Sequence, residues 1–168
     1  MPPYFITETN HPKVPILVSV PHCGTQFPED IKGNYHQGLI QTPDDTDWFV
    51  DELYNFTSEM GIPMISAKYS RWVIDLNRDP DSKPLYNDGR IITGLCPTTD
   101  FAGNAIYTQN EPDETEVKRR IDLYYTPYHT KIQEMLNTLK MSLVKCFCGT
   151  HILSASMSPL YKKRDFLI

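Results

Sequence analysis

The sequence predicts an α/β domain of three layers, a mostly parallel or mixed sheet flanked by helices. Three observations lead there. Short apolar runs at 15–20, 63–67, 71–76 and 143–148 have the length and the bounding residues of buried strands. Helical periodicity at 45–60 and 112–140 lies between them, and such alternation favours parallel strands joined by crossovers. The first and last runs also share a grammar, each delivering a histidine at its end, His22 and His151.

The first strand passes straight into Pro21-His22-Cys23-Gly24, a sharp turn of the kind that open α/β sheets place at their chemically active edge. A loop punctuated by Pro28, Gly33 and Gly38 follows, without helical or strand period. Cap residues and carboxylates at 42–47 then precede Trp48, Phe49, Leu53, Phe56 and Met60, which predicts an amphipathic helix over 45–60 closed by Gly61. Strands follow at 63–67 and 71–76, the second feeding into Asn77-Arg78. Residues 81–110, rich in Pro, Gly, Asn and Asp, read as a long loop with one short strand at 90–93. From Pro112 to Lys140 the period is helical again, with Pro127 kinking or splitting it. The 168 residues carry no Gly/Ser linker, low-complexity run or internal repeat, so the reading is one domain, 1–168.

Composition narrows the function classes. Hydrophobic residues make up 40% and charged residues 22%, the balance of a folded soluble protein. Sixteen basic against 21 acidic residues argue against a nucleic-acid partner. The N-terminus has no basic region followed by an apolar stretch, and no window reaches membrane-spanning length, so the expectation is cytoplasmic with no membrane partner. The composition does not set the oligomeric state. Cys23, Cys96, Cys146 and Cys148 are scattered and read as reduced thiols.

With parallel strands, His22 and His151 are expected on the same edge of the sheet. Two imidazoles and a carboxylate, with a position left for water, are the ligand set of catalytic zinc. The carboxylate would come from Asp45 or Asp47, each of which is equally suited to cap the following helix. Arg71, Asn77 and Arg78 flank a strand exit and could hold an anionic substrate, although Arg71 could instead pair with Asp75 or Asp79. His129, beside Pro127, could point into the pocket or stay solvated. A thiol nucleophile at Cys23 is disfavoured, because neighbours in an extended turn point apart and His22 could not act as its base.

Five blocks together resemble the N-formylglutamate amidohydrolases: 21–24, 45–54, 70–78, 94–97 and Pro127-Tyr128-His129. They fall in that family's order over nearly the whole chain, and D-T-D-W-x-V-D-x-L-Y with S-R-x-V-x-D-L-N-R is a specific pair. The resemblance implies a zinc-carboxypeptidase-like (phosphorylase/hydrolase-like) fold. It implies metal-dependent hydrolysis of the formyl amide of N-formyl-L-glutamate, or a related N-acyl amino acid, to formate and the amino acid in histidine breakdown. It further implies Zn2+ or another divalent ion on His22, one of Asp45 and Asp47, and His151, with Asn77 and Arg78 gripping a substrate carboxylate.

Two departures stand out. The family resembles D-x-H-S where this chain reads Gly149-Thr150-His151-Ile152. Its late glutamate, the general base by analogy with carboxypeptidases, has no counterpart after His151, and Glu116 and Glu134 lie in a helix the resemblance does not mark as catalytic. The expectation is therefore a truncated member with weak or no deformylase activity. The competing readings are a non-catalytic domain that binds acyl-amino acids or carboxylates, and a degenerate remnant of the family.

Overall fold

The apolar run after Pro15 is extended as its β-branched residues dictate, and it becomes the centre of a sheet. A computed structural model describes residues 1–80, 94–143 and 151–154. In it β1 (Tyr4–Thr7), β2 (Ile16–Val20), β3 (Met64–Ala67) and β4 (His151–Ser154) form one sheet in the order β1-β3-β2-β4. β2 runs parallel to both β3 and β4, while β1 is antiparallel to β3, which makes the sheet mixed. The sequence reading had no strand at β1.

Alternation along β2 splits the core in two, because successive side chains leave opposite faces. Leu17 joins Ile65, Trp72, Tyr128, Ile132 and Leu136 on one face, and Val18 and Val20 join Cys23, Ile62 and Met64 on the other. The first face is covered by α4 (Thr126–Leu143), the second by Val50 and Tyr54 around α2 (Val50–Leu53). Helical layers on both faces of a sheet are what the α/β reading requires.

Several elements differ from expectation. The helix predicted over 45–60 is broken into α2 and a 3-10 turn, Asn55–Met60. Phe49 sits in left-handed backbone at φ 61° immediately before α2, a conformation a continuous helix cannot contain. Trp48, Phe49, Leu53, Phe56 and Met60 consequently stay exposed rather than forming a buried stripe. The expected terminator is in place, since Gly61 takes a positive φ of 77° and passes tight against the Pro12 carbonyl. The loop after the His22 turn also holds a short helix, α1 (Glu29–Lys32), and a 3-10 turn at Leu39–Gln41.

Residues 71–76 form no strand; Trp72, Val73 and Ile74 are buried in irregular backbone, their apolar character satisfied by packing instead of a ladder. The long C-terminal helical pattern is α3 (Glu114–Arg120), a π-helical segment Ile121–Tyr125 and then α4, with Pro127 in the first turn of α4. Asp113 caps α3 by accepting from the Glu116 amide at 2.8 Å. The predicted strand at 90–93 lies outside the described residues, as do Cys146 and Cys148.

The last predicted strand is placed differently. The α4 helix extends to Leu143, residues 144–150 lie outside the described set, and β4 begins at His151 rather than ending before it. His151 pairs in register with Ile16, at the start of β2, whereas His22 follows its end. At about 3.3 Å per residue, the two backbones stand roughly 20 Å apart along the sheet. The expected shared edge is thus corrected: the register puts the two histidines at opposite ends.

Gly24 is what lets the His22 turn lie against the strand exit of β3. A Cβ there would meet the Tyr69 carbonyl oxygen at 2.2 Å, and that backbone is fixed by Gln26 N donating to Lys68 O and Ser70 N to Gln26 O. Gly24→Ala is therefore expected to cost roughly 1–3 kcal/mol, read as a lower urea midpoint; an unchanged midpoint would mean that the turn can lift off Tyr69.

Candidate functional site

His22 leaves the carboxyl end of β2 and, because β3 is parallel, the segment after β3 emerges beside it. That segment brings Asp75, 2% exposed, against the ring: His22 Nε2 lies 2.8 Å from Asp75 Oδ1. A carboxylate only accepts, so Nε2 carries the proton and donates. Asp75 Oδ2 accepts from Arg71 Nη2 at 2.6 Å, and the Asn77 amide donates to Oδ1 at 3.0 Å. Burial alone would push the Asp75 carboxyl up, but the His22 bond and the Arg71 charge outweigh it and hold the group well below the usual carboxylate range. His22 is the converse: burial lowers it, yet the facing carboxylates of Asp47 and Asp75 raise it overall.

With Nε2 committed, the other ring nitrogen is the chemically available one. His22 Nδ1 faces Asp47 Oδ2 at 3.7 Å, too long for a good hydrogen bond. Two donors each about 2.0–2.2 Å from one tetrahedral ion stand roughly 3.3 Å apart, close to this separation. An imidazole whose second nitrogen is held by a carboxylate is also how proteins orient metal-binding histidines. The pair therefore fits a divalent ion. Asp47 is lowered by the facing His22 ring and is partly exposed. Among the described residues no group of three or more His, Cys, Asp or Glu is assembled to hold a metal.

The two candidate aspartates separate by environment. Asp45 is buried and spends both oxygens on structure, accepting from Trp72 Nε1 at 2.7 Å and from the Phe101 amide at 3.1 Å. It ties the loop at 94–105 to the 71–76 segment and neither caps a helix nor faces His22. Asp47 does face it.

Arg71 pairs with Asp75 in a nearly buried setting and stacks over Phe101, 5.0 Å from the ring centroid. Its planar fork thus shapes the site through Asp75. Asn77 and Arg78 are half-buried at the same turn, with the Arg78 amide donating to Asp75 O at 3.2 Å. His129 is neither solvated nor turned to His22: it is half-buried, 2.9 Å from the Leu76 carbonyl. Cys23 is buried and poorly suited to act as a nucleophile. Burial pushes its thiol up to about 12, and Sγ lies 3.5 Å from Val20 O.

Asp75 is the site residue that the local pattern does not single out, since a carboxylate four residues after Arg71 reads equally as its surface partner. The available signal was its place inside the D-L-N-R run.

A sequence model of the family "N-formylglutamate amidohydrolase" matches residues 14–156. An N-formylglutamate deformylase of Pseudomonas aeruginosa is 40% identical over 132 residues, 76% of this chain and 47% of that protein. One of Pseudomonas putida is 36% identical over 129 residues, with the same coverage, 76% and 47%. The chain thus spans about half the length of the curated relatives it matches. Among solved structures, an N-formylglutamate amidohydrolase from Ralstonia eutropha superposes with a TM-score of 0.75 at 24% identity, over 92% of this chain and 57% of that one. A protein from Agrobacterium tumefaciens does so with a TM-score of 0.64 at 18% identity, over 84% and 52%. At those identities the structural likeness establishes the fold.

Two outcomes test the assignments. Asp45→Ala orphans the buried Trp72 indole N–H and frees the part-buried Phe101 amide, and should cost roughly 1–3 kcal/mol in chemical denaturation, with metal uptake unchanged. For Asp75 the folded pKa is below the unfolded value, so its contribution is complete above the ordinary 3.8 and lost as pH falls below it. For His22 the folded pKa is raised, so its contribution is complete below 6.5 and lost as pH rises through the folded value. The metal-free chain should therefore be most stable between those limits, and Asp75→Asn should flatten the acid side of a denaturation-midpoint profile.

Proposed function

The chain belongs to the N-formylglutamate amidohydrolase family, and from that premise we propose that it carries the metal- and anion-binding part of a site that hydrolyses the formyl amide of N-formyl-L-glutamate. The observation that carries the reading is the presentation of His22 Nδ1 to Asp47, with Nε2 locked by a buried Asp75. His22 and Asp47 would hold a divalent ion, zinc by ligand type. When bound, such an ion supplies Lewis acidity toward the formyl oxygen and a water of lowered pKa.

The chain's own groups do the rest. Asp75 fixes the tautomer and plane of His22, and Arg71 keeps Asp75 ionised, so the imidazole need not reorganise during turnover. Asn77 and Arg78 lie on the same turn as Asp75, with Arg78 Nε 3.9 Å from Asp75 Oδ2, and would take a substrate carboxylate, which a guanidinium can bind through two parallel hydrogen bonds. In the overall reaction water adds to the formyl carbon, the C–N bond breaks and the amine takes a proton, leaving formate and glutamate. Such a reaction would belong to histidine breakdown in the cytoplasm, and the buried thiols of Cys23 and Cys96 support a reducing setting. Among the described residues no helix is long and apolar enough to cross a membrane.

Metal analysis with a formate assay tests the proposal. One zinc per chain is expected, lost in His22→Ala and retained at least tenfold more weakly in Asp47→Asn. Formate release should depend on that zinc. A chain that takes up no zinc but still binds N-formylglutamate would instead be a carboxylate-binding domain, and the hydrolase reading would fall.

A further inference from the structure

The segment that carries Asp75, Asn77 and Arg78 has no ladder to hold it, since it is irregular backbone and not a strand. Two of its carbonyls are nonetheless gripped from the same helical arm, one on each side of Asp75. Arg120, at the end of α3, donates from Nη1 to Val73 O at 3.0 Å, and is itself fixed by Glu116 and by the hydroxyls of Tyr35 and Tyr107. His129, in α4, lies with Nε2 2.9 Å from Leu76 O. A carbonyl only accepts, so the His129 proton sits on Nε2. The neighbouring residue Tyr128, fully buried, shares a 2.9 Å hydrogen bond with Ser19 Oγ on β2, three residues before His22.

The π-helical segment makes this grip possible. Nine residues separate Arg120 from His129, about two and a half turns of a regular helix, which would put them on opposite faces. The wider turn over Ile121–Tyr125 removes part of that rotation and lets both side chains reach one loop. Tyr125 packs against the His129 ring at 4.2 Å between centroids and Tyr128 at 5.6 Å edge-on, so the imidazole has little freedom to leave Leu76.

We propose that His129 is a positioning residue for substrate: through Leu76 it sets the height of the Asn77–Arg78 turn relative to His22, and thereby affinity for the substrate's carboxylates. The inference rests on the functional reading above for what Asn77 and Arg78 bind. It does not rest on turnover. His129 touches neither His22 nor Asp47, so its loss should act on binding and leave the metal alone.

The test combines calorimetric binding of N-formylglutamate, zinc content and the ring's nitrogen chemical shifts, on the 168-residue chain. His129→Ala is expected to weaken binding about tenfold, the loss of one buried hydrogen bond, with zinc content unchanged. His129→Gln, whose side-chain amide can still donate to Leu76 O, should recover wild-type affinity within about threefold, and it guards against a folding defect in the alanine variant. The nitrogen shifts should report the Nε2–H tautomer. Wild-type affinity in His129→Ala, a glutamine variant no better than alanine, or an Nδ1–H tautomer would each overturn the inference. Wild-type binding without formate release would remove the hydrolase reading and leave this one standing; no binding at all would remove both.

Discussion

Burying a carboxylate almost completely costs several kcal/mol unless its oxygens are saturated by donors, and Asp75 is saturated by three groups that must all be in place at once. His22 comes from the end of β2, Arg71 from the exit of β3, and the Asn77 amide from the turn beyond. The Arg71 and Asn77 contacts are local to the segment that carries Asp75, but the His22 contact cannot form until β2 and β3 are paired in parallel, because only then do their carboxyl ends open on the same side. The Asp75 amide is in turn fixed by donating to Leu95 O at 2.7 Å, which brings in the 94–105 loop. The charge thus ties the site to the fold: a register slip between β2 and β3 would take the His22 ring away from Asp75 and leave it only the local Arg71 and Asn77 contacts.

The same constraint explains a division of labour among acidic residues that look alike in the sequence. Asp45 and Asp47 are two residues apart, and backbone geometry sends one inward to Trp72 and the Phe101 amide and the other outward to His22. Asp45 serves as the acceptor for a Trp72 indole N–H that would otherwise be buried without a partner. Asp47 keeps solvent access and an unfilled separation from an imidazole whose other nitrogen is committed. Environment assigns these roles; residue type does not.

Around the site the protein uses irregular backbone where regular structure would not fit. Phe49 is held in left-handed backbone directly after the Asp47-Trp48 pair, and strain of this type, about 1–3 kcal/mol, persists only where surrounding contacts over-determine it. The buried segment at 71–76 forgoes a ladder and relies on packing of Trp72, Val73 and Ile74 and on carbonyl contacts from the helical arm. The π-helical turn re-aims that arm. Each departure brings a side chain or carbonyl to a place a regular element would miss.

Local pattern alone determined the strands β2 and β3, the His22 turn, the Gly61 stop and the interruption of the last helix, since each depends on residues within a few positions of one another. It also carried the family, through the spaced blocks at 45–54 and 70–78. Tertiary structure decided what lies between distant residues. It decided that the apolar run 71–76 is buried coil, that the periodic stripe over 48–60 stays exposed, and that His151 begins β4 opposite Ile16. It chose Asp47 over Asp45 and drew Asp75 into the site, because a carboxylate's partner is whatever donor the fold brings within 3 Å, and sequence spacing across strands does not encode that distance.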